Sequence, residues 1–303
     1  MTRLPASAIV PILLLAGCVA PAPERPPAAP PVATPAAMPR PSPPPPALAT
    51  PASFLLEGVA RQGGLLLGIA PPGTVRMMLD GAPVRLAADR RFVIAFDRDA
   101  AVRSVLSATL ADGTTLTLPI GVAPRAWRIE RLDRLAKVPV PSAAFAARRP
   151  AELARIVAAR AIDGGSEGWR QRFVWPARGR ISGVFGSQRI YRGEPGSYHG
   201  GVDVAAPTGT PVVAPADGVV VLAAATPFTL EGRLLIVDHG HGLNSAFLHL
   251  SRIDVAEGQR VDRGDTIGAI GATGRATGPH LHWGLTWRGA RIDPAAVAGV
   301  KGP

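Results

Sequence analysis

Gly278-Pro279-His280-Leu281-His282-Trp283-Gly284-Leu285-Thr286-Trp287 is the stretch on which the fold turns. A Gly-Pro head does not start a helix. The residues after it alternate with period two. His280, His282, Gly284 and Thr286 share one face, and Leu281, Trp283, Leu285 and Trp287 share the other. The pattern predicts a strand with an apolar face on a core. The opposite face then carries two imidazoles about 7 Å apart along the strand. Two histidines so placed suit a metal ligand and a catalytic partner.

Outward from this stretch, residues 174–295 are rich in Gly and turns. Strand-like runs fall at Gly218–Ala223, Arg233–Asp238, 245–250 and 266–270. The region holds all six histidines of the chain. In His199-Gly200-Gly201-Val202-Asp203 the glycines disfavour a helix, so a turn leads into a strand. An imidazole and a carboxylate brought together this way suit zinc, which takes nitrogen and oxygen ligands at about 2.0–2.2 Å. His249 follows the apolar run Phe247-Leu248; alone, it reads more often as a satisfied core histidine than as a site residue. His239 and His241 flank Gly240 in a turn and read as structural. The chain has no H-E-x-x-H helix, which excludes a thermolysin-like site.

Together these groups resemble the lysostaphin-type (LytM-like) zinc endopeptidases of bacterial cell walls. The resemblance covers roughly residues 174–295. It rests on Gly183-Val-Phe-Gly186, His199-Gly-Gly-Val-Asp203 through Pro211, Ala214-Pro-Ala-Asp-Gly218, Asp238-His-Gly-His-Gly242, His249-Leu-Ser251, Gly271-Ala-Thr-Gly274 and Thr277-Gly-Pro-His-Leu-His282. It implies that His199, Asp203 and His282 are zinc ligands and that His249 and His280 are catalytic histidines beside the metal. Three protein ligands leave a fourth zinc position open, the catalytic arrangement. Phe247-Leu248 departs from the Tyr-Ala pair usual in the family, which touches a side-wall contact and not the metal. The implied fold is an antiparallel sheet crossed by a substrate groove, with 193–198 and 227–233 as walls. The implied substrate is peptidoglycan, with the D-alanyl–diaminopimelyl cross-link as the target in a diderm bacterium. The other reading is a non-catalytic LytM-like lipoprotein that activates or scaffolds cell-wall amidases; members of that kind usually lack the ligand set.

The start of the chain reads as an address. Arg3 and the apolar run 4–16 fit a signal peptide, being short for a bilayer span. Leu15-Ala16-Gly17-Cys18 resembles the bacterial lipobox and uses the chain's one cysteine. Residues 1–17 are thus expected to be removed and Cys18 lipidated, which anchors the protein to a membrane. Val19 in place of an acidic residue points to the outer membrane, facing the periplasm. A thiol so used is neither a nucleophile nor half of an internal disulfide. Residues 18–51 form a Pro-rich tether, extended to roughly 100 Å at polyproline spacing.

The fold class expected is mainly β. Short strand-like runs at 54–60, Leu65–Ile69, Thr74–Leu79, 83–86, 92–96, 104–110 and 114–120 suggest a small β-sandwich-like module over 52–123, with Asp80-Gly81 and Asp112-Gly113 as turns. A short helical connector spans 124–173, the peptidase domain spans 174–295, and 296–303 form a tail. The connector helix is expected to start at Pro150, with Leu153, Ile156 and Val157 at helical spacing through about Ile162, and to stop at Asp163-Gly164-Gly165. The net charge of +11 is uneven: 124–173 carry 11 bases and 5 acids, against 11 and 10 in 174–295. The excess sits away from the histidines, and with the export signal it argues against nucleic acid. The Arg-rich helix face reads as solvated, with anionic wall polymer or lipid head groups as a second possibility. A regulatory protein partner, or restraint of the groove by the module or connector, also fits the architecture.

Overall fold

The structure, a computed structural model, describes residues 53–134 and 142–299. The expected leader, Cys18 and the expected Pro-rich tether lie outside the described residues.

Seven strands build the first module: β1 (Leu55–Gly58), β2 (Leu65–Ile69), β3 (Thr74–Leu79), β4 (Ala82–Val84), β5 (Arg91–Ala95), β6 (Arg103–Leu110) and β7 (Thr115–Gly121). They form a three-stranded sheet β1-β2-β5 and a four-stranded sheet β4-β3-β6-β7. Leu66, Met77, Phe92, Ile94 and Leu106 are buried between them, so the expected sandwich is the observed one. Each boundary lies within a few residues of the sequence pattern, because alternation and the Asp-Gly turns are local signals.

The connector differs from expectation. It supplies a strand, β8 (Ile129–Leu132), and a helix, α1 (Ala143–Ala161). The helix starts seven residues before Pro150, because Ser142 caps it: the Ser142 side chain accepts the Phe145 N–H at 3.1 Å. Ala-rich residues 143–147 then propagate it. Pro150 lies inside, where it removes one helix hydrogen bond. The buried side is Glu152, Ile156 and Ala159; Leu153 and Val157 are exposed. The Arg-rich side is not simply solvated either, since Arg149 is held by two carboxylates. A 3₁₀ turn (Gly168–Arg170) comes next.

The remaining elements are β9 (Arg180–Gly183), β10 (Gln188–Tyr191), β11 (Glu194–Pro195), β12 (Gly201–Ala205), β13 (Pro211–Val213), β14 (Gly218–Ala223), β15 (Arg233–Asp238), β16 (Leu243–Leu250), β17 (Arg252–Ile253), β18 (Arg260–Val261), β19 (Thr266–Ala269), β20 (His280–Trp287), β21 (Ala290–Ile292) and α2 (Pro294–Ala298). The large sheet has the order β18-β14-β15-β16-β20-β12-β9, with β21 beside β20. Its pairings are antiparallel. Strands β13, β19 and β17 make a small sheet, while β8 pairs in parallel with β10. The expected end of the peptidase region at 295 falls inside α2.

On β20, Leu281, Trp283 and Leu285 are fully buried and Trp287 nearly so. Each aliphatic side chain so buried contributes about 1.5–3 kcal/mol. The imidazoles of His280 and His282 take the other face, as the alternation predicts. Asp203, Leu248 and Gly284 share it: Asp203 and Leu248 pair with His282, and Gly284 lies two residues on. So do Ala246 and Ile236, which pair successively across β16 and β15. Ile156 and Ala159 of α1 join Ile236 and Ala246 in one buried cluster. The helix therefore lies on the same face of the sheet as the histidines, over strands farther from them. Among the described residues no helix is long and apolar enough to cross a membrane.

Candidate metal centre

Three of the predicted residues meet at one point. Asp203 Oδ1 lies 3.0 Å from His199 Nε2 and 2.9 Å from His282 Nδ1, and these two nitrogens are 3.0 Å apart. Strand β12 delivers Asp203 directly opposite His282 on β20. His199 comes from the turn before β12. Its backbone is pinned on both sides, by His199 N–H to the Ser187 carbonyl at 2.8 Å and by Gly186 N–H to the His199 carbonyl at 2.9 Å. The motif glycines have a local reason. A Cβ at Gly183 would collide with the Asp203 carboxylate, and one at Gly201 would sit 2.8 Å from His282 Nε2.

The hydrogen bonds behind the ligand atoms test whether a metal fits. His199 Nδ1 lies 3.0 Å from the Val184 carbonyl, so that nitrogen carries the proton and donates it. Nε2 is left with a bare lone pair. It faces the Asp203 carboxylate, which is also an acceptor. Burial opposes ionisation of Asp203, but the closeness of the two imidazoles outweighs it and holds the carboxyl well below its usual range. Burial likewise opposes a charge on His199, and Asp203 outweighs it, so the His199 pKa rises; at His282 burial prevails and the pKa falls. Acceptor atoms gathered this closely call for a shared cation. A tetrahedral ion with bonds of about 2.0–2.2 Å holds its ligands roughly 3.3–3.6 Å apart, a few tenths of an ångström wider than this triangle. Nitrogen–oxygen–nitrogen is a donor set that zinc accepts. Among the described residues this is the one group of three or more such side chains within metal-binding reach.

Two further imidazoles stand beside the triad. His280 Nε2 is 3.9 Å from Asp203 Oδ1, and its Nδ1 donates to the Gly278 carbonyl at 2.8 Å. The His249 ring centre is 4.7 Å from that of His280. Its Nδ1 donates to the Thr273 carbonyl at 2.8 Å. In both rings Nε2 is left free to accept. Burial pushes the His249 pKa down to about 4, so the ring is neutral near pH 7. The His199, Asp203, His280 and His282 side chains keep 16–22% of their surface exposed, which leaves the cluster open to a substrate.

His249 reaches this cluster against the alternation of its own strand. Leu248 faces the His282 side, so a regular strand would aim His249 into the core with Phe247. His249 instead has φ +65°, a left-handed conformation that costs a non-glycine residue on the order of 1–3 kcal/mol. That turn brings the ring round to His280. Its N–H is taken up by the Glu231 carbonyl at 2.9 Å.

His239 and His241 lie elsewhere. His239 is fully buried, with Nδ1 donating to the Asp217 carbonyl and Nε2 accepting from Ser245, both at 2.8 Å. His241 stacks on Trp169 with ring centres 4.2 Å apart. The carbonyls of Val184 and Thr273, which set the two tautomers, have no side-chain signal in the sequence. Glu231 had one, its place in an expected groove wall.

Comparison with known proteins places these residues in context. Residues 197–294, which contain all five site positions, match peptidase family M23. A crystal structure from Pseudomonas aeruginosa, provisionally described as a peptidase M23, aligns with a TM-score of 0.58 and 31% identity, covering 79% of this chain and 95% of that one. The peptidoglycan DD-endopeptidase ShyA of Vibrio cholerae is 42% identical over 127 residues, which are 41% of this chain and 28% of ShyA. The DD-carboxypeptidase/endopeptidase Mpg of Neisseria meningitidis serogroup B is 41% identical over 129 residues, 39% of this chain and 27% of Mpg. The alignments thus span little more than a quarter of the length of these two curated relatives.

Proposed function

The chain belongs to peptidase family M23, and on that premise we propose that it is a zinc-dependent endopeptidase cutting peptide cross-links of peptidoglycan, with the D-alanyl–diaminopimelyl bond as its target. The observation that carries this reading is the convergence of His199 Nε2, Asp203 Oδ1 and His282 Nδ1 within 3.0 Å, beside two imidazoles with free Nε2 atoms. A zinc ion bound there supplies a Lewis acid that polarises a carbonyl and acidifies water to a pKa of about 7. The rest falls to the chain. His249 and His280 are the groups within reach to accept the proton of the attacking water through Nε2. The water oxygen bonds to the amide carbon, the carbon–nitrogen bond breaks, and the proton passes to the departing amine. A protonated Nε2–H can also donate to the oxyanion as it forms. The Val184, Thr273 and Gly278 carbonyls fix the ring orientations beforehand.

The leader supports a location. Lipidation at Cys18 would anchor the protein in the outer membrane facing the periplasm, and the Pro-rich tether would let the catalytic region reach the wall. The relatives named as DD-endopeptidases support the substrate class. The intact ligand set weighs against the non-catalytic amidase-activating reading.

The test is release of soluble fragments from purified sacculi by the full chain loaded with zinc, with the cut bond read by mass spectrometry. The expected products carry a free D-alanyl carboxylate and a free diaminopimelyl amine, and His282→Ala releases none. No release between pH 6 and 9, with zinc shown to be bound, overturns the proposal.

A further inference from the structure

Glu231 is gripped at both ends. Its main-chain carbonyl accepts the His249 N–H at 2.9 Å. Its carboxylate accepts both arms of the Arg149 guanidinium, at 2.6 and 2.7 Å. Arg149 stands on α1, outside residues 197–294 that match the family. A second carboxylate on the helix, Glu152, accepts the Thr229 N–H at 2.8 Å and the Thr229 hydroxyl at 2.5 Å. Arg148 donates to the Pro227 carbonyl at 3.1 Å, and Phe228 packs in one cluster with Ile156 and Ala159. Helix α1 thus holds the loop 227–232 along its length. The loop closes on itself through paired main-chain hydrogen bonds between Phe228 and Gly232.

The same loop is tied to the other group that orients His249. Arg275 N–H donates to the Leu230 carbonyl at 3.0 Å, and Arg233 N–H donates to Thr273 Oγ1 at 2.9 Å. Glu231 therefore fixes the backbone of His249, Thr273 fixes its ring, and the two anchors are linked to each other. The need for such support is local. His249 is in a left-handed conformation that leaves the strand pattern, so its position depends on the partners that hold it. Glu231 and Glu152 are only 7% and 6% exposed, so losing their donors would leave buried carboxylates unpaired and the loop without its anchor.

We propose that Arg149 and Glu152 are positioning residues for His249, acting through the loop 227–232, so that the connector helix is a working part of the active site. This rests on the reading of His249 as a proton-transfer group. The fork of Arg149 matches a carboxylate in one plane, which fixes direction as well as distance.

The experiment has two readouts on the full chain. The first is amide hydrogen exchange at His249 and Arg275 in metal-free protein, which needs no activity. The second is kcat and KM on purified cross-linked muropeptide dimers with zinc. Arg149→Ala is expected to speed exchange at both amides about tenfold or more. It should lower kcat about a hundredfold, the scale of a misplaced catalytic group, with KM within about threefold. Arg149→Lys, which keeps the charge but not the fork, should recover part of both. Val157→Ala, exposed on the same helix, should change neither. Unchanged exchange at His249 in folded Arg149→Ala overturns the proposal, as does a loss confined to KM. If Arg149→Ala does not fold, Thr229→Val decides, since it removes only the hydroxyl from Glu152; wild-type exchange and kcat in that variant overturn the proposal. A wild-type chain inert on the dimers would sink the assigned function, while the exchange measurement still judges the brace.

Discussion

His199 and His249 face the same small space, yet the contacts behind them run to different parts of the molecule. Behind His199 stands the β module. Arg98, almost fully buried, donates to the Gly186 carbonyl at 3.0 Å, and Gly186 in turn holds the His199 main chain. The Arg98 guanidinium also lies 4.7 Å from the ring centre of Tyr198, the residue before His199. Asp97 accepts the Tyr198 hydroxyl at 3.2 Å and the Arg291 N–H at 2.8 Å. Behind His249 stands α1, where a half-buried cation meets two buried carboxylates. The His199 side is secured mainly by hydrogen bonds to main chain, at a residue without the positive φ of His249. The His249 side is a residue in the left-handed region, held by a loop that an ion pair anchors. The first arrangement should govern how tightly metal is held, and the second how fast bound substrate turns over.

The strongest blow to the His199 side is loss of the His199 imidazole itself. His199→Ala should abolish stoichiometric zinc by atomic absorption and bring sacculus hydrolysis to background; retained zinc with retained activity would remove the metal centre from the account. Next comes Arg149→Ala, with its fall of about a hundredfold in kcat while zinc affinity stays at the wild-type value. Smaller again is Arg98→Ala. It should weaken zinc binding about tenfold, the scale seen when a group behind a metal ligand is removed. At saturating zinc its kcat should stay within about twofold. Competition with a chelator measures the first quantity and steady-state kinetics the second. If Arg98→Ala and Arg149→Ala move the same parameter, the two sides are not separate.

The same contrast explains what could be read from the sequence. The placement of His280, His282 and Asp203 was legible because they obey strand periodicity: the two histidines alternate with a buried apolar face, and Asp203 sits in a short strand after a glycine turn. His249 was legible only through family resemblance, since alternation alone sends it to the core and only the positive φ returns it. Local pattern places helix α1 but neither its start nor its packed side. Pro150 is a common first residue of a helix, yet Ser142 caps an earlier start. The apolar residues Leu153 and Val157 looked like the packed side, whereas the sheet meets the side that carries Glu152. No local pattern foretells a buried carboxylate, because what makes it tolerable is Thr229, 77 residues away. Arg149 and Glu231, 82 residues apart, escape local reading for the same reason.

A third histidine serves as the control for the comparison, because it supports neither side. His239 is buried in a hydrogen-bond chain: Trp283 Nε1 donates to Ser245 Oγ, Ser245 Oγ donates to His239 Nε2, and His239 Nδ1 donates to the Asp217 carbonyl. Protonating Nε2 would break the middle bond inside the core, and burial pushes this pKa down to about 4. The unfolded chain titrates near its ordinary value of about 6.5. Between these two values the unfolded state binds a proton that the folded state refuses. The stability is therefore fully present above about pH 6.5 and declines as pH falls toward about 4, by up to about 1.4 kcal/mol per pH unit from this residue. His239→Asn removes the titrating group, so the gap in unfolding free energy between wild type and variant should narrow across that window and hold steady above it. Denaturant unfolding of metal-free protein at several pH values measures it. Because His239 touches neither the His199 nor the His249 contacts, kcat and zinc affinity at pH 7 should stay at wild-type values while the protein remains folded. A change in either would mean that the core beneath Trp283 couples the two sides, and that their separate bracing is incomplete.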